Sequence, residues 1–194
     1  SEPRTELHKD TYFSVLHQFC LARKLRHLSK PFAQKCAQAR TPRGKSKNMQ
    51  IKGKVVVVTG GASGIGKSLC ERFAKEGAHA VVVSDINQDG VDATVKDIAA
   101  LTQPRANVAN VGKEEDIAAL VETTLAEFGH IDLFCSNAGI FTAGGENVST
   151  EAWQSIWDIN VMSHVFAARA VLPSMLERGE GYLLNTASAA GLLS

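Results

Sequence analysis

The sequence predicts an α/β fold: a three-layer, doubly wound parallel sheet with helices on both faces. Three observations carry that prediction. From about residue 50 onward, short β-branched runs alternate with stretches that repeat apolar residues at helical spacing. The first run, Val-Val-Val-Val at 55–58, is apolar at every position, as in a central parallel strand covered on both faces. That run passes through Thr59 and the turn Gly60-Gly61-Ala62-Ser63-Gly64-Ile65-Gly66 directly into a helix.

The elements follow in order. The first strand spans 54–59 and the first helix 64–76, with Ile65, Leu69 and Phe73 inward and Gly77 as its stop. A second strand spans 80–84, and a helix at 88–101 carries Val91, Val95, Ile98 and Leu101 inward. Residues 105–108 form a weak third strand, which Pro104 assigns to a sheet edge. A helix at 114–128 has Ile117, Leu120, Val121, Leu125 and Phe128 on one face. A fourth strand at 131–136, a long helix at 150–178 through Trp153, Ile156, Trp157 and Phe166, and a fifth strand at 181–186 complete the pattern. Right-handed crossovers, with a switch between the first and fourth strands, open a crevice at the strand carboxyl ends.

The first turn has its own chemistry. A strand entering a helix through glycines gathers free backbone N–H groups and the positive helix end at one point, which suits a pyrophosphate. Gly60 serves the tight turn, Gly64 the close approach of phosphates, and Gly66 the packing of helix on strand. Asp85 stands nineteen residues after Gly66, at the end of the second strand. A carboxylate there accepts from adenosine ribose hydroxyls and repels a 2′-phosphate. No Lys or Arg lies in the 60–66 loop or directly after Asp85, so NAD is expected over NADP.

At 194 residues, 44% hydrophobic and 21% charged, the chain has the composition of an ordinary globular protein. The formal net charge of +1 hides an asymmetry. Residues 1–50 hold eleven Lys/Arg against three Asp/Glu, and residues 51–194 hold ten against seventeen. Cys20, Cys36, Cys70 and Cys135 make no Cys-x-x-Cys pair, and no histidine pattern points to a metal. No membrane span is expected, since no apolar run approaches ~20 residues. Residues 1–48 form a basic extension ahead of the 49–194 domain, and 11–69 contain no acidic residue. Three readings of that extension stand: a mitochondrial-type targeting segment, a nucleic-acid or membrane-surface arm, or upstream sequence translated in frame ahead of Met49. A cytoplasmic location is expected, or a mitochondrial one if 1–48 is a targeting segment. No nucleic-acid partner is expected for the domain itself.

Four motifs, in order on the expected elements, resemble the short-chain dehydrogenase/reductase family over about residues 52–194. Thr59-Gly60-Gly61-Ala62-Ser63-Gly64-Ile65-Gly66 matches its Thr-Gly-x-x-x-Gly-x-Gly motif, and Asn137-Ala138-Gly139 its Asn-Ala-Gly motif. Asn160 falls at the family's mid-helix asparagine, and Ser188 in Ser188-Ala189-Ala190-Gly191 at its catalytic serine. The resemblance implies a Rossmann-type sheet and an NAD-dependent oxidoreductase acting on a small-molecule alcohol or ketone. It assigns cofactor contacts to Thr59, Gly60, Ser63, Gly64, Ile65, Gly66, Asp85, Ile86, Asn107, Val108, Asn137, Ala138 and Gly139. Ser188 would hydrogen-bond the reacting oxygen, and Asn160 would support a water-linked proton path.

Two departures from the family are visible. Asn107 is read at the place of its adenine-holding aspartate, and the proton-transferring Tyr-x-x-x-Lys is absent: residues four beyond Tyr12 and Tyr182 are Leu16 and Thr186. The chain is therefore expected to be the amino-terminal part of such an enzyme, truncated after the fifth strand. In full-length form it is expected to be a homodimer or homotetramer. The alternative is a non-catalytic dinucleotide-binding or scaffold protein on the same fold.

Overall fold

A computed structural model describes residues 49–188. The three readings of 1–48, and the motif residues after Ser188, lie outside the described residues. The elements are β1 (Val55–Thr59), α1 (Gly64–Lys75), β2 (Ala80–Asp85), α2 (Gln88–Ile98), β3 (Gln103–Val108), α3 (Glu114–Phe128), β4 (Leu133–Ser136), α4 (Thr150–Trp157), α5 (Ser163–Arg178) and β5 (Tyr182–Asn185). The sheet runs β3-β2-β1-β4-β5, with every neighbour pair parallel. From β1 the chain builds outward through β2 to β3, then crosses back to place β4 on the other side of β1. That reversal leaves a crevice between the carboxyl ends of β1 and β4.

All four valines of β1 are fully buried, as the unbroken apolar run requires of a central strand. Val57, Val82 and Phe134 pack with Ile117, Leu120 and Val121 of α3 and Ala167, Val171 and Met175 of α5. Neighbouring positions along each strand face the opposite side, where α1 and α2 pack on each other and on β1 and β2. Among the described residues Cys70 and Cys135 are buried and unbridged.

Three expectations about packing are corrected. The buried residues of α1 are Gly66, Cys70, Phe73 and Ala74, while Ile65 is 65% exposed. The sheet-facing side begins one residue later because Gly66, lacking a side chain, lies directly on the β1 turn. Helix α2 ends at Ile98, so Leu101 falls beyond it and is 50% exposed. The long helix is interrupted by a π-type turn at Asp158–Met162. After it, α5 buries Ser163, Ala167, Val171 and Met175 at four-residue spacing, while Trp153 and Trp157 are exposed. By length and composition alone, Thr150–Arg178 is apolar enough to cross a membrane; its buried face is the one that packs on the sheet.

Candidate functional site

A cleft of about 410 Å³ opens at the carboxyl ends of the strands. Its walls come from separate parts of the chain: the β1–α1 turn, the end of β2, the segment after β3, the segment after β4, and Thr186 after β5.

The glycines of the first turn sit in three different surroundings. Gly60 has φ +70°, and a side chain there would meet the Ala138 backbone at 2.8 Å, so the turn lies directly against the segment after β4. Gly64 has φ +53° with nothing within 4 Å of where a Cβ would stand, leaving the backbone open toward the cleft. A Cβ on Gly66 would overlap the Gly60 carbonyl and come within 2.7 Å of Asn137 Nδ2. The turn is further held by Gly61 N–H donating to the Ser84 carbonyl (3.0 Å) and Thr94 Oγ1 donating to the Gly61 carbonyl (3.0 Å). Helix α1 starts at Ser63 with no side-chain cap and no acidic residue in its first turn. Its first N–H groups and positive end therefore meet the cleft with no acidic residue of the helix's own first turn beside them. These features fit the pyrophosphate of a dinucleotide.

Asp85 is half-buried at the end of β2, and its carboxylate is aimed by two backbone donors. Ala62 N–H donates to Oδ2 at 3.2 Å and Asn87 N–H to Oδ1 at 3.1 Å. Each oxygen keeps a further lone pair for the cleft. Ile86, 68% exposed, and Ile65 offer apolar surface on either side. No lysine or arginine is among the residues lining the cleft.

Asn107 and Val108 are not brought to the cleft. They pair with Ser84 and Asp85 inside the sheet, and Asn107 Oδ1 accepts from Ser84 Oγ at 3.2 Å. The strand runs on until Ala109 N–H donates to the Asp85 carbonyl, and the residues that reach the cleft are Ala109, Asn110 and Val111. Asn110 is fixed by its N–H to Asp116 Oδ2 (2.8 Å) and by Gly112 N–H to its Oδ1 (3.0 Å). The Asn-Val pair occurs at 107–108 and again at 110–111, so the sequence offers both registers.

Thr59 is 3% exposed and stands behind the cleft wall. Its hydroxyl accepts from the N–H groups of Asn137 (3.0 Å) and Ala138 (3.2 Å) and donates to the Cys135 carbonyl (3.3 Å). Asn137 Nδ2 donates to the Thr59 carbonyl at 3.1 Å, and Thr186 Oγ1 donates to Asn137 Oδ1 at 2.9 Å. These bonds lock the ends of β1, β4 and β5 together, with Asn137, Ala138 and Gly139 facing the cleft. Asn160, in the π-type turn, clamps the next residue from both sides: Ile140 N–H donates to its Oδ1 (2.9 Å) and its Nδ2 donates to the Ile140 carbonyl (2.8 Å). Asn160 is a brace rather than a wall, and Ile140 and Ile159 do the lining. Ser188, three residues beyond β5, is exposed and not among the lining residues. Ala109, Asn110, Val111, Ile140, Ile159 and Thr186 are the lining residues that the motifs did not mark.

The chain is similar to known proteins in both sequence and fold. A family model described as short chain dehydrogenase matches residues 54–194. The cyclohexanol dehydrogenase of Acinetobacter sp. (strain SE19) is 39% identical over 143 residues, covering 72% of this chain and 57% of that protein. A short chain dehydrogenase/reductase from Burkholderia phymatum, solved in complex with NAD, superposes with TM-score 0.72 at 32% identity, covering 75% of this chain and 53% of that one. A metagenomic short-chain oxidoreductase solved in complex with NADP gives 0.68 at 27% identity, covering 74% and 66%. The chain spans 55%, 57% and 62% of the length of three curated relatives. Relatives and solved neighbours with this fold are oxidoreductases, and nicotinamide dinucleotides of both kinds occur among them. On the family match and the relatives' identity, this chain belongs to the short-chain dehydrogenase family.

Proposed function

We propose that this chain binds NAD in the cleft, as the dinucleotide-holding part of an oxidoreductase acting between a secondary alcohol and a ketone. The observation that carries the reading is Asp85, aimed into a cleft whose lining includes no cation. A ribose with both hydroxyls free can donate to that carboxylate, whereas a 2′-phosphate would set like charges together with nothing to offset them. The backbone N–H groups at 63–66 and the α1 dipole take the pyrophosphate. Ile65 and Ile86 flank the adenosine side, where Asn110 adds a polar side chain and Val111 an apolar one.

When bound, the nicotinamide supplies the site that accepts or gives up a hydride. The chain's own residues do the rest. Asn137 through Ile140, held by Thr59, Thr186 and Asn160, form a rigid floor and keep water from one side of the ring. Ser188 is assigned the role of orienting the reacting oxygen. The 194 residues contain no Tyr-x-x-x-Lys pair, so the reading assigns no proton donor within them. The exposed line Trp153, Trp157, Val161 and Val165 suits contact with a second subunit.

Equilibrium titration of the chain with NAD and with NADP tests the proposal. Tighter binding of NAD is expected, and Asp85→Ala should narrow the difference by about tenfold or more, consistent with loss of charge-assisted hydrogen bonds of ~1.5–3 kcal/mol. Tighter binding of NADP by the unaltered chain would overturn the assignment of Asp85.

A further inference from the structure

Among the described residues, two buried side-chain atoms have no hydrogen-bond partner: Ser136 Oγ and His164 Nδ1. Strand register and helix periodicity bring them to one place. Phe134 and Leu183 lie opposite each other across β4 and β5, and both pack in the cluster that includes Ala167 and Val171 of α5. Two residues further along, a strand returns to the same face. The next such opposed pair, Ser136 and Asn185, therefore points to the same helix, one step nearer the cleft. On α5, His164 stands three residues before Ala167 and seven before Val171, which sets it on their face and also one turn nearer the cleft. Its ring meets the Asn185 side chain and the main chain of Asn160. Ser136 is 3% exposed.

We propose that Ser136, His164 and Asn185 form a buried polar cradle under the cleft floor that holds one ordered water. Through it His164 acts as a positioning residue for Asn160 and for the strand end that carries Thr186. A neutral imidazole has one donor and one acceptor nitrogen, a hydroxyl both donates and accepts, and a water needs two to four polar partners. Burial pushes His164 toward that neutral form. One water between Ser136 Oγ and His164 Nδ1 satisfies both atoms, whereas a dry gap would leave both unpaired at a cost. The cradle stands on packing alone. Its influence on the cofactor rests on the dinucleotide reading above.

The sign of one substitution decides the first point. If the Ser136 hydroxyl bonds a water, Ser136→Ala lowers Tm by about 2–4 °C, the shift expected for one hydrogen bond in a domain of this size. If the hydroxyl has no partner, the same change leaves Tm unaltered or raises it, and the cradle is refuted. A high-resolution crystal structure should show a water within hydrogen-bond distance of both atoms; a direct Ser136–His164 bond, or no water, would refute it equally. For the positioning role, NAD affinity is measured well below Tm. His164→Leu should weaken it several-fold and His164→Gln should restore most of the loss. Equal affinity for His164→Leu and the parent would overturn that role. Should the parent itself fail to bind NAD, the functional reading falls while the Tm sign and the crystal structure still decide the cradle.

Discussion

Replacing Asp132 by asparagine should lower stability by roughly 2–3 kcal/mol while leaving cofactor affinity unchanged. The residue sits at the amino ends of the strands, across the sheet from the cleft. It is 2% exposed and takes three donors, Val55 N–H at 2.9 Å, Arg178 Nη2 at 2.8 Å and Lys54 Nζ at 3.3 Å, with His130 Nε2 standing 3.2 Å from Oδ2. The knot ties β1, β4 and the end of α5 together, and Arg178 also donates to the Ile131 carbonyl at 3.1 Å. Asparagine keeps an acceptor for Val55 but turns an amide N–H₂ toward a cation. Breaking a fully buried pair costs about 3–5 kcal/mol. Here Lys54 and Arg178 are 24% and 30% exposed, and Lys54 keeps Glu180 at 2.7 Å, so the lower figure applies. For a domain of this size that is a Tm loss of about 4–12 °C.

The pH dependence has a definite sign. Burial alone would push the Asp132 carboxyl up, but the Val55 N–H, Arg178, Lys54 and His130 outweigh it and hold the group below the usual carboxylate range. Its contribution is therefore present above the unfolded value of about 3.9 and is lost as pH falls through the lower folded value. Urea unfolding of both proteins should show a gap that is full at pH 7 and narrows below about pH 4. A gap of the same size at both pH values, or no gap at pH 7, would refute the argument.

Two further outcomes follow from the cleft. Gly66→Ala places a methyl against the Gly60 carbonyl and should cost about 1–3 kcal/mol of stability by overpacking, with at least about tenfold weaker NAD binding; calorimetric titration and a thermal melt read both. Asn160→Ala removes both bonds to Ile140 and should weaken NAD binding by about three- to tenfold, with faster hydrogen exchange at the Ile140 amide as its local signature.

Much of this site is legible in the sequence because it is local. The run at 55–58, the spacing of Gly60, Gly64 and Gly66, and the place of Asp85 all lie within one strand–helix–strand unit, where register is fixed by the chain itself. The parts that were misplaced depend on pairing between distant segments. Whether Asn107 or Asn110 reaches the cleft is decided by how far β3 pairs with β2, and a repeated Asn-Val pair hides the answer. Ile65 follows the helical period that points inward, yet the contact of Gly66 with the first turn rotates that face toward the cleft. The tryptophans of α4 carry the strongest apolar signal in the long helix and are exposed, while the face of that helix buried on the sheet is that of Ala167, Val171 and Met175 in α5. Thr186 and Asp132 carry no motif that marks them; their partners are 49 and 77 residues away for Asn137 and Val55 respectively.

The central claim is that Asp85 and the 60–66 turn hold the adenosine half of NAD. A crystal structure of the chain grown with NAD tests it most directly. The account predicts the adenosine ribose hydroxyls within hydrogen-bond distance of the Asp85 carboxylate and the pyrophosphate over the backbone N–H groups at the start of α1. A dinucleotide bound elsewhere, or one in this cleft with its ribose turned away from Asp85, would contradict it.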